Sequence, residues 1–137
     1  MNTEQLCAVA QKARENAYAP YSHFTVGAAL LCDNGNVYTG CNIENASFSP
    51  TVCAERVAIF KAVSDGERHF TALAIAGGKM GETADITPCG VCRQVLSEFC
   101  EAAMPVYLVC ADGNVDTMTL GDLLPRTFVL EKNDDNV

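Results

Sequence analysis

Apolar residues near the start of the chain recur every three or four positions between Leu6 and Ala17. This spacing predicts an amphipathic helix over residues 3–17, which ends before Pro20. Two β-rich runs follow, Phe24–Cys32 and Val37–Cys41, and each predicts a strand. The sequence Asp-Asn-Gly-Asn between them favours a tight turn, so we expect the two strands to form a hairpin.

The rest of the chain alternates predicted helices and strands. The pattern indicates a largely buried helix (53–64), a short strand (73–76), a flexible loop (77–87), a helix opened by Pro88, a strand (106–110), an edge strand (115–119), a short helix (120–124) and a frayed tail (131–137). The helix after Pro88 is predicted to turn inward the residues Val91, Val95, Leu96 and Phe99. Together the elements predict one α/β domain over residues 1–137, a three-layer α/β/α sandwich around a mixed sheet of about five strands.

Composition and charge narrow the choice of ligand. The 137 residues are 49% apolar and 19% charged, which fits a packed globular chain, and the formal net charge is −8. The nine Lys and Arg residues are scattered, which disfavours nucleic acid or an anionic membrane as a partner. No apolar run is long enough to cross a bilayer, and Met1–Ala8 lacks the features of a signal peptide, so we predict a cytoplasmic location.

Eight cysteines are many for a chain of this length. An even number could indicate a disulfide framework, but a predicted reducing compartment makes buried thiols, metal ligands or a redox pair the better hypotheses. The spacing of the cysteines has to decide between these three uses.

Two cysteine-containing segments begin predicted helices and carry the candidate chemistry. They are Cys53-Ala54-Glu55-Arg56 and Pro88-Cys89-Gly90-Val91-Cys92. Side chains of a first helical turn lie in front of the helix N-terminus, because Cα–Cβ bonds tilt toward that end. If the two ends face each other, Cys53, Cys89 and Cys92 surround one point beside Glu55. We therefore predict one catalytic zinc ion held by three thiolates, with a position open to water and Glu55 free to move protons.

Nearby arginines bear on the charge of such a site. Zinc with three thiolates is formally negative, which opposes ionisation of a water, and the two helix N-termini offset part of that charge. Arg56 could donate hydrogen bonds to the sulfurs or could be a solvated surface residue, and both interpretations stay open. Arg93 is expected to be solvated.

These segments resemble the signature of the zinc-dependent nucleoside deaminases, in which a zinc ligand-x-Glu precedes Pro-Cys-x-x-Cys. Further motifs resemble the small, three-cysteine, homotetrameric cytidine deaminases: Ala19-Pro20-Tyr21-Ser22, Val26-Gly27-Ala28-Ala29, Gly40-Cys41-Asn42-Ile43-Glu44-Asn45-Ala46 and Leu123-Leu124-Pro125. The resemblance implies deamination of cytidine and 2′-deoxycytidine in pyrimidine salvage, with Glu55 as the proton shuttle.

The same resemblance implies roles for the substrate-binding residues. Phe24 would pack on the base, and Asn42 and Glu44 would hold the ribose hydroxyls. The backbone around Ala54 and Cys89 would meet the polar edge of the pyrimidine, and Phe128 would close the site of its own or a neighbouring subunit. Phe48 stands where relatives commonly have tyrosine, so ring packing but no hydroxyl contact is expected at that position. The charge of Glu44 favours a free nucleoside over a nucleotide.

Three other hypotheses are weighed against this one. A structural zinc module would leave Glu55 without a use, and a thioredoxin-like protein using Cys89 and Cys92 would leave Cys53 unexplained. A blasticidin-type deaminase shares the zinc motifs, but Asn42 and Glu44 favour a ribonucleoside enzyme. The remaining thiols are expected to be small buried side chains, and they are Cys7, Cys32, Cys41, Cys100 and Cys110.

Overall fold

A mixed sheet of five strands forms the centre of the fold in the computed structural model, which describes residues 1–133. In chain order the elements are α1 (Thr3–Ala13), β1 (Phe24–Cys32), β2 (Val37–Cys41), α2 (Ala54–Ser64), β3 (Phe70–Lys79), α3 (Gly90–Phe99), β4 (Pro105–Val109), β5 (Val115–Thr119) and α4 (Leu120–Leu123). The strand order is β2-β1-β3-β4-β5. Only β3 and β4 are parallel, because α3 crosses between them, and the other neighbours are antiparallel.

Helices cover both faces of the sheet, as the three-layer prediction requires. On one face α1 packs Leu6 and Ala10 against Ala29, Ala74 and neighbouring small residues. On the other face α2, α3 and α4 enclose the larger core, which contains Leu30 and Ile75 of the sheet together with buried side chains of all three helices. The predicted α/β fold class is confirmed.

Two glycines allow helices to approach the sheet closely. A Cβ atom on Gly27 of β1 would lie 2.0 Å from the carbonyl oxygen of Ala10 in α1. A Cβ atom on Gly40 of β2 would lie 2.2 Å from the carbonyl oxygen of Ala54, the first residue of α2. Since real side chains never approach backbone so closely, the position of each helix depends on its glycine.

The first helix is shorter than predicted. Asn2 caps it by accepting from the Gln5 amide at 2.8 Å, and regular helix ends at Ala13, followed by one 3-10 turn over Arg14–Asn16. The prediction of helix to residue 17 is wrong because the backbone becomes extended at Ala17. The amide of the next residue, Tyr18, donates to the carbonyl of Asn42, which directly follows β2.

β3 and α3 also differ from their predicted bounds, and β3 begins at Phe70 rather than at residue 73. β3 continues through Gly77 and Gly78, which were expected in a loop, because both pair with β1. Pro88 does not begin a helix. α3 begins at Gly90, and Cys89 takes an extended conformation and serves as its N-cap. Residues 131–133 have no regular structure, and residues 134–137 of the predicted tail lie outside the described residues.

The predicted inner face of α3 is wrong at one residue. Val91 is 57% exposed, whereas Leu96 is buried and Val95 and Phe99 pack partly against the core. Cys92 is the buried residue of the first turn, so the face of α3 that packs against the core is the one that contains Cys92 and Leu96. Within residues 1–133 no helix is long and apolar enough to span a bilayer.

Candidate metal centre and adjoining cleft

The N-termini of α2 and α3 meet at one end of the sheet and bring three thiols together. The Sγ atoms of Cys53 and Cys89 are 3.7 Å apart, and those of Cys89 and Cys92 are 3.4 Å apart. All three Sγ atoms lie within 4.8 Å of one another. Tetrahedral zinc with bonds of about 2.3 Å holds its sulfurs about 3.8 Å apart, whereas a disulfide needs about 2.05 Å. The spacing fits a shared metal ion.

Electrostatics at the helix ends favour thiolate at this cluster. The hydrogen bond from Cys92 and that from Arg56 lower the pKa of Cys53 to about 5. The reciprocal bond with Cys53 and burial raise the pKa of Cys92. One sulfur therefore already carries charge near neutral pH, and a bound cation would draw the remaining protons from the others.

Glu55 is 4% exposed, and its carboxylate lies beside the thiol cluster. Burial raises its pKa to about 7, and the charge of Cys53 adds to the effect. Its Oε1 atom accepts no hydrogen bond from the described residues. A buried carboxylate oxygen without a partner is costly to the fold, so this atom is available for a ligand or a transferable proton.

The two arginines near the cluster have different partners. Arg56 donates from Nη2 to the Sγ atom of Cys53 at 3.5 Å, and the hydrogen bond raises its own pKa. The hydrogen-bonding interpretation of Arg56 is thus the one its geometry supports. Arg93 touches no sulfur, but the expected solvated side chain is also wrong. Its guanidinium is half-buried and bonds to protein on three sides, at Pro88, Leu123 and Thr87.

A cleft of about 260 Å³ opens beside the thiols and Glu55. This volume is slightly below that of most ligand pockets, which are typically roughly 300–1,000 Å³. Phe24, Asn42 and Glu44, singled out from the sequence, all line it. The chain positions them through the start of β1 and the segment that directly follows β2.

Asn42 is fixed by the backbone of β1. Its Oδ1 atom accepts from the Val26 amide at 2.8 Å, and its Nδ2 atom donates to the Phe24 carbonyl at 2.8 Å. The side chain thus takes the place of a backbone hydrogen-bond partner for β1 at the point where β2 ends. One further N–H and one lone pair of the amide stay available for a ligand.

Glu44 is held as an acceptor. Its Oε1 atom accepts from the amides of Tyr21 and Ser22 at 3.0 and 3.1 Å, and the Ser22 hydroxyl donates to Oε2. The Ser22 hydroxyl bond is the largest cause that lowers the pKa of Glu44. A carboxylate held in this way is ionised at neutral pH and suits a ligand that donates hydroxyl hydrogens.

Three other residues singled out from the sequence do not line the cleft. Ala54 is fully buried in the core beneath it, so only its backbone lies near the site. Phe128 is 69% exposed, and its carbonyl accepts from Gln94 Nε2 at 3.1 Å. Phe48 is 77% exposed and has a positive φ of 62°, which is unusual for a residue with a side chain.

Sequence reasoning missed part of the cleft wall. Val26, Thr51, Val52, Ile86 and Thr87 also line it. Thr51, Val52 and Thr87 lie within two residues of Cys53 or Cys89, and that proximity to a predicted ligand was the available signal. Ile86 gave no local signal. It reaches the cleft because the loop after β3 folds back over Gly77.

The other five cysteines are shielded to different degrees. Cys7 and Cys32 are buried as predicted, and Cys41, Cys100 and Cys110 are half-buried. Burial is the largest cause that raises the pKa of all five thiols, to about 11 for Cys32 and about 12 for Cys100. Within residues 1–133 the only cysteine cluster with metal-ligand spacing is the trio at the helix ends.

Comparison with known proteins supports this picture. Residues 1–108 match the family model of the cytidine and deoxycytidylate deaminase zinc-binding region. The chain is 53% identical over 131 residues to a cytidine deaminase of Sporosarcina psychrophila, covering 96% of this chain and 94% of that protein. Identity to a cytidine deaminase of Halalkalibacterium halodurans is 46% over 135 residues, covering 98% and 100%. The crystal structure of cytidine deaminase from Burkholderia pseudomallei superposes with a TM-score of 0.86 at 45% identity, covering 93% and 100%.

Proposed function

Because the chain belongs to the cytidine and deoxycytidylate deaminase family, we propose that it catalyses hydrolytic deamination of cytidine and 2′-deoxycytidine. Water replaces the 4-amino group, and the products are uridine or 2′-deoxyuridine and ammonia. The observation that carries this proposal is a buried carboxylate, Glu55, with an unpartnered oxygen beside three convergent thiols. A single catalytic domain over residues 1–137 performs the reaction.

The three thiols would hold one zinc ion per chain, which when bound acts as a Lewis acid and makes water nucleophilic near neutral pH. Cys53 and Cys89 are the N-caps of α2 and α3, and Cys92 approaches from the first turn of α3. Arg56 donates to Cys53 and fixes the direction of that sulfur. The positive ends of two helices compensate the charge of the thiolates.

Glu55 moves the protons of the reaction. Its carboxylate takes a proton from the attacking water and delivers it to N3 of the cytosine ring. Glu55 then takes the proton of the new 4-hydroxyl group and delivers it to the amino group, which leaves as ammonia as its bond to C4 breaks. A pKa near 7 suits both directions of transfer, because neither the acid nor the base form is strongly favoured.

The other cleft residues select a free nucleoside. Asn42 and Glu44 bind the ribose hydroxyls, and the ring of Phe24 packs on the base. Glu44 is ionised and would repel a 3′-phosphate, while the cleft lining contains no Lys or Arg that could pair with a 5′-phosphate within the described residues. The net charge of −8 likewise disfavours polynucleotides.

The active unit is a homotetramer in the cytoplasm with sites near subunit interfaces. Support comes from large apolar side chains exposed on the described chain, among them Phe48, Phe60 and the consecutive Phe128, Val129 and Leu130. Such exposure is typical of surfaces that a second copy covers. Phe128 closes the cleft of a neighbouring subunit, and the ring of Phe48 packs at an interface without the hydroxyl of the common tyrosine.

The test is a direct assay of turnover. The purified protein is mixed with cytidine or 2′-deoxycytidine, and loss of cytosine absorbance and release of ammonia are followed together. We expect both nucleosides to react, one zinc per chain by metal analysis, and loss of activity on chelation that added Zn²⁺ restores. Cytidine 5′-monophosphate and blasticidin S serve as comparison substrates, and both should react poorly.

The alternatives predict other outcomes. Zinc bound without turnover of any substrate would support a structural zinc site. Preference for blasticidin S over cytidine would support the other deaminase class. Dithiol-dependent reduction of a disulfide substrate by the metal-free protein would support a redox role for Cys89 and Cys92, and in each case the proposal would fail.

A further inference from the structure

Arg93 uses its whole guanidinium to join two segments that are distant in sequence. Nε donates to the Pro88 carbonyl at 2.7 Å, and Nη2 donates to the Thr87 hydroxyl at 3.2 Å. On the other side Nη1 donates to the Leu123 carbonyl at 2.7 Å. The residue lies on α3 one position after Cys92, and its side chain is half-buried between the two segments.

Each segment leads to a part of the proposed site. Thr87 lines the cleft, and Pro88 directly precedes Cys89 and is itself buried. The Leu123 carbonyl is at the end of α4, where the chain turns toward Phe128. The neighbouring Gln94 holds the carbonyl of Phe128 at 3.1 Å, so α3 binds this C-terminal segment at two points.

We infer that Arg93 is a positioning residue, which sets the backbone before Cys89 and the course of the segment that carries Phe128. The inference rests on the proposed function for what the site does, but the hydrogen bonds of Arg93 do not depend on that function. The buried Pro88 carbonyl needs a donor, because an unpaired one costs free energy. Only the planar fork of arginine donates in three fixed directions, and a lysine ammonium at this distance cannot replace it.

The experiment measures zinc retention as well as turnover in Arg93→Lys and Arg93→Ala. We expect transfer of zinc to a chromogenic chelator to be faster than in the unaltered protein, and zinc affinity in competition with that chelator to be about 10- to 100-fold lower, the usual effect of losing a partner that orients a ligand. The value of kcat/KM for cytidine should fall by a similar factor. Millimolar guanidinium should restore part of both values in Arg93→Ala but not in the unaltered protein.

Arg68→Ala is the matched control. Arg68 also donates to two carbonyls, those of Val63 and Glu67 at 2.9 and 2.8 Å, but at the opposite end of α2 from the cysteines. We expect this variant to keep normal zinc retention and kcat/KM, whatever it loses in melting temperature. Equal zinc retention in the Arg93 and Arg68 variants would overturn the inference.

Thr87→Val is a milder variant that tests the same contacts if the Arg93 variants do not fold. It removes one of the three partners, so zinc retention should fall less than in Arg93→Lys, and the two changes together should be less than additive. An unchanged zinc release in Thr87→Val and full additivity would count against the inference. If the unaltered protein fails to deaminate cytidine, the proposed function fails, yet the zinc-release comparison still decides the role of Arg93.

Discussion

Glu55 and Arg56 are neighbours in the first turn of α2 with opposite charges and different surroundings. Arg56 donates from Nη2 to a sulfur, but its buried Nε atom has no partner among the described residues, and neither has the Oε1 atom of Glu55. An arrangement that is unfavourable for folding persists where it supplies a group for chemistry. At the scale of single residues, replacement of Glu55 is therefore expected to change stability and activity in opposite directions.

Glu55→Gln should separate the two quantities. It keeps the shape of the side chain but cannot carry a proton, so kcat should fall about 10²- to 10⁴-fold. The zinc content should stay near one per chain, and the melting temperature of the zinc-loaded protein should be equal to or above that of the unaltered protein. Steady-state kinetics, metal analysis and thermal denaturation measure these values, and activity close to normal would refute the assigned proton shuttle.

At the scale of elements, the sequence pattern predicted what local spacing determines. It identified five strands, the hairpin turn and the two helices that begin near the cysteines. It placed the start of α3 at Pro88, whereas the helix begins after its cap Cys89, and it ended β3 too early, at Ala76. Those boundaries depend on pairing with β1 and on the direction of Cys92, both of which are tertiary contacts.

The site residues also divide into those that local spacing or motifs indicated and those that depend on tertiary contacts. The ligand candidates and Glu55 were found from spacing, and Asn42 and Glu44 from resemblance. The place of Ile86 in the cleft and the bond from Arg93 to Leu123 could not be found, since the first depends on a loop that folds back over the sheet and the second on a helix end thirty residues downstream. Long-range contacts of this kind leave no period in the sequence.

Gly40→Ala and Gly27→Ala form a matched pair at this scale. Each adds one methyl group against a helix backbone, so each should lower the free energy of unfolding by about 1–3 kcal/mol or more. Gly40 contacts Ala54, between Cys53 and Glu55, whereas Gly27 contacts α1 on the other face. We expect only Gly40→Ala to weaken zinc binding and lower kcat.

Denaturant titration and competition with a chelator, both at a temperature where the variants are folded, test this pair. Equal zinc affinity in the two variants would mean that the close approach of α2 to β2 does not position the thiols. Normal stability of both would contradict the close contacts themselves.

At the scale of the whole molecule, the proposed assembly places Phe128 of one chain in the cleft of another. The described chain is consistent with this arrangement, because the side chain is exposed and its carbonyl is fixed to α3. Phe128→Ala should lower kcat/KM by about 10- to 100-fold, the value of burying one aromatic side chain on the substrate. Zinc content should be unchanged.

Mixing two impaired variants tests the exchange between chains. Glu55→Gln lacks the proton shuttle and Phe128→Ala lacks the closing ring, so oligomers assembled from both contain some clefts with an intact copy of each. Activity after co-refolding should exceed the sum of the separate variants. Without any gain, Phe128 would act in its own cleft or not at all, and Val129→Ala serves as the control for a general surface effect.

The five cysteines outside the metal centre have a consequence for how the protein ages in air. Oxygen and peroxides attack the thiolate, and burial keeps these sulfurs protonated. Chemical damage to the buried Cys7 and Cys32 must therefore wait for the fold to open, so its rate follows the rate of unfolding more than the strength of the oxidant, whereas the half-buried Cys41, Cys100 and Cys110 are partly accessible in the folded chain. An aged sample with intact buried sulfurs is one that has rarely unfolded.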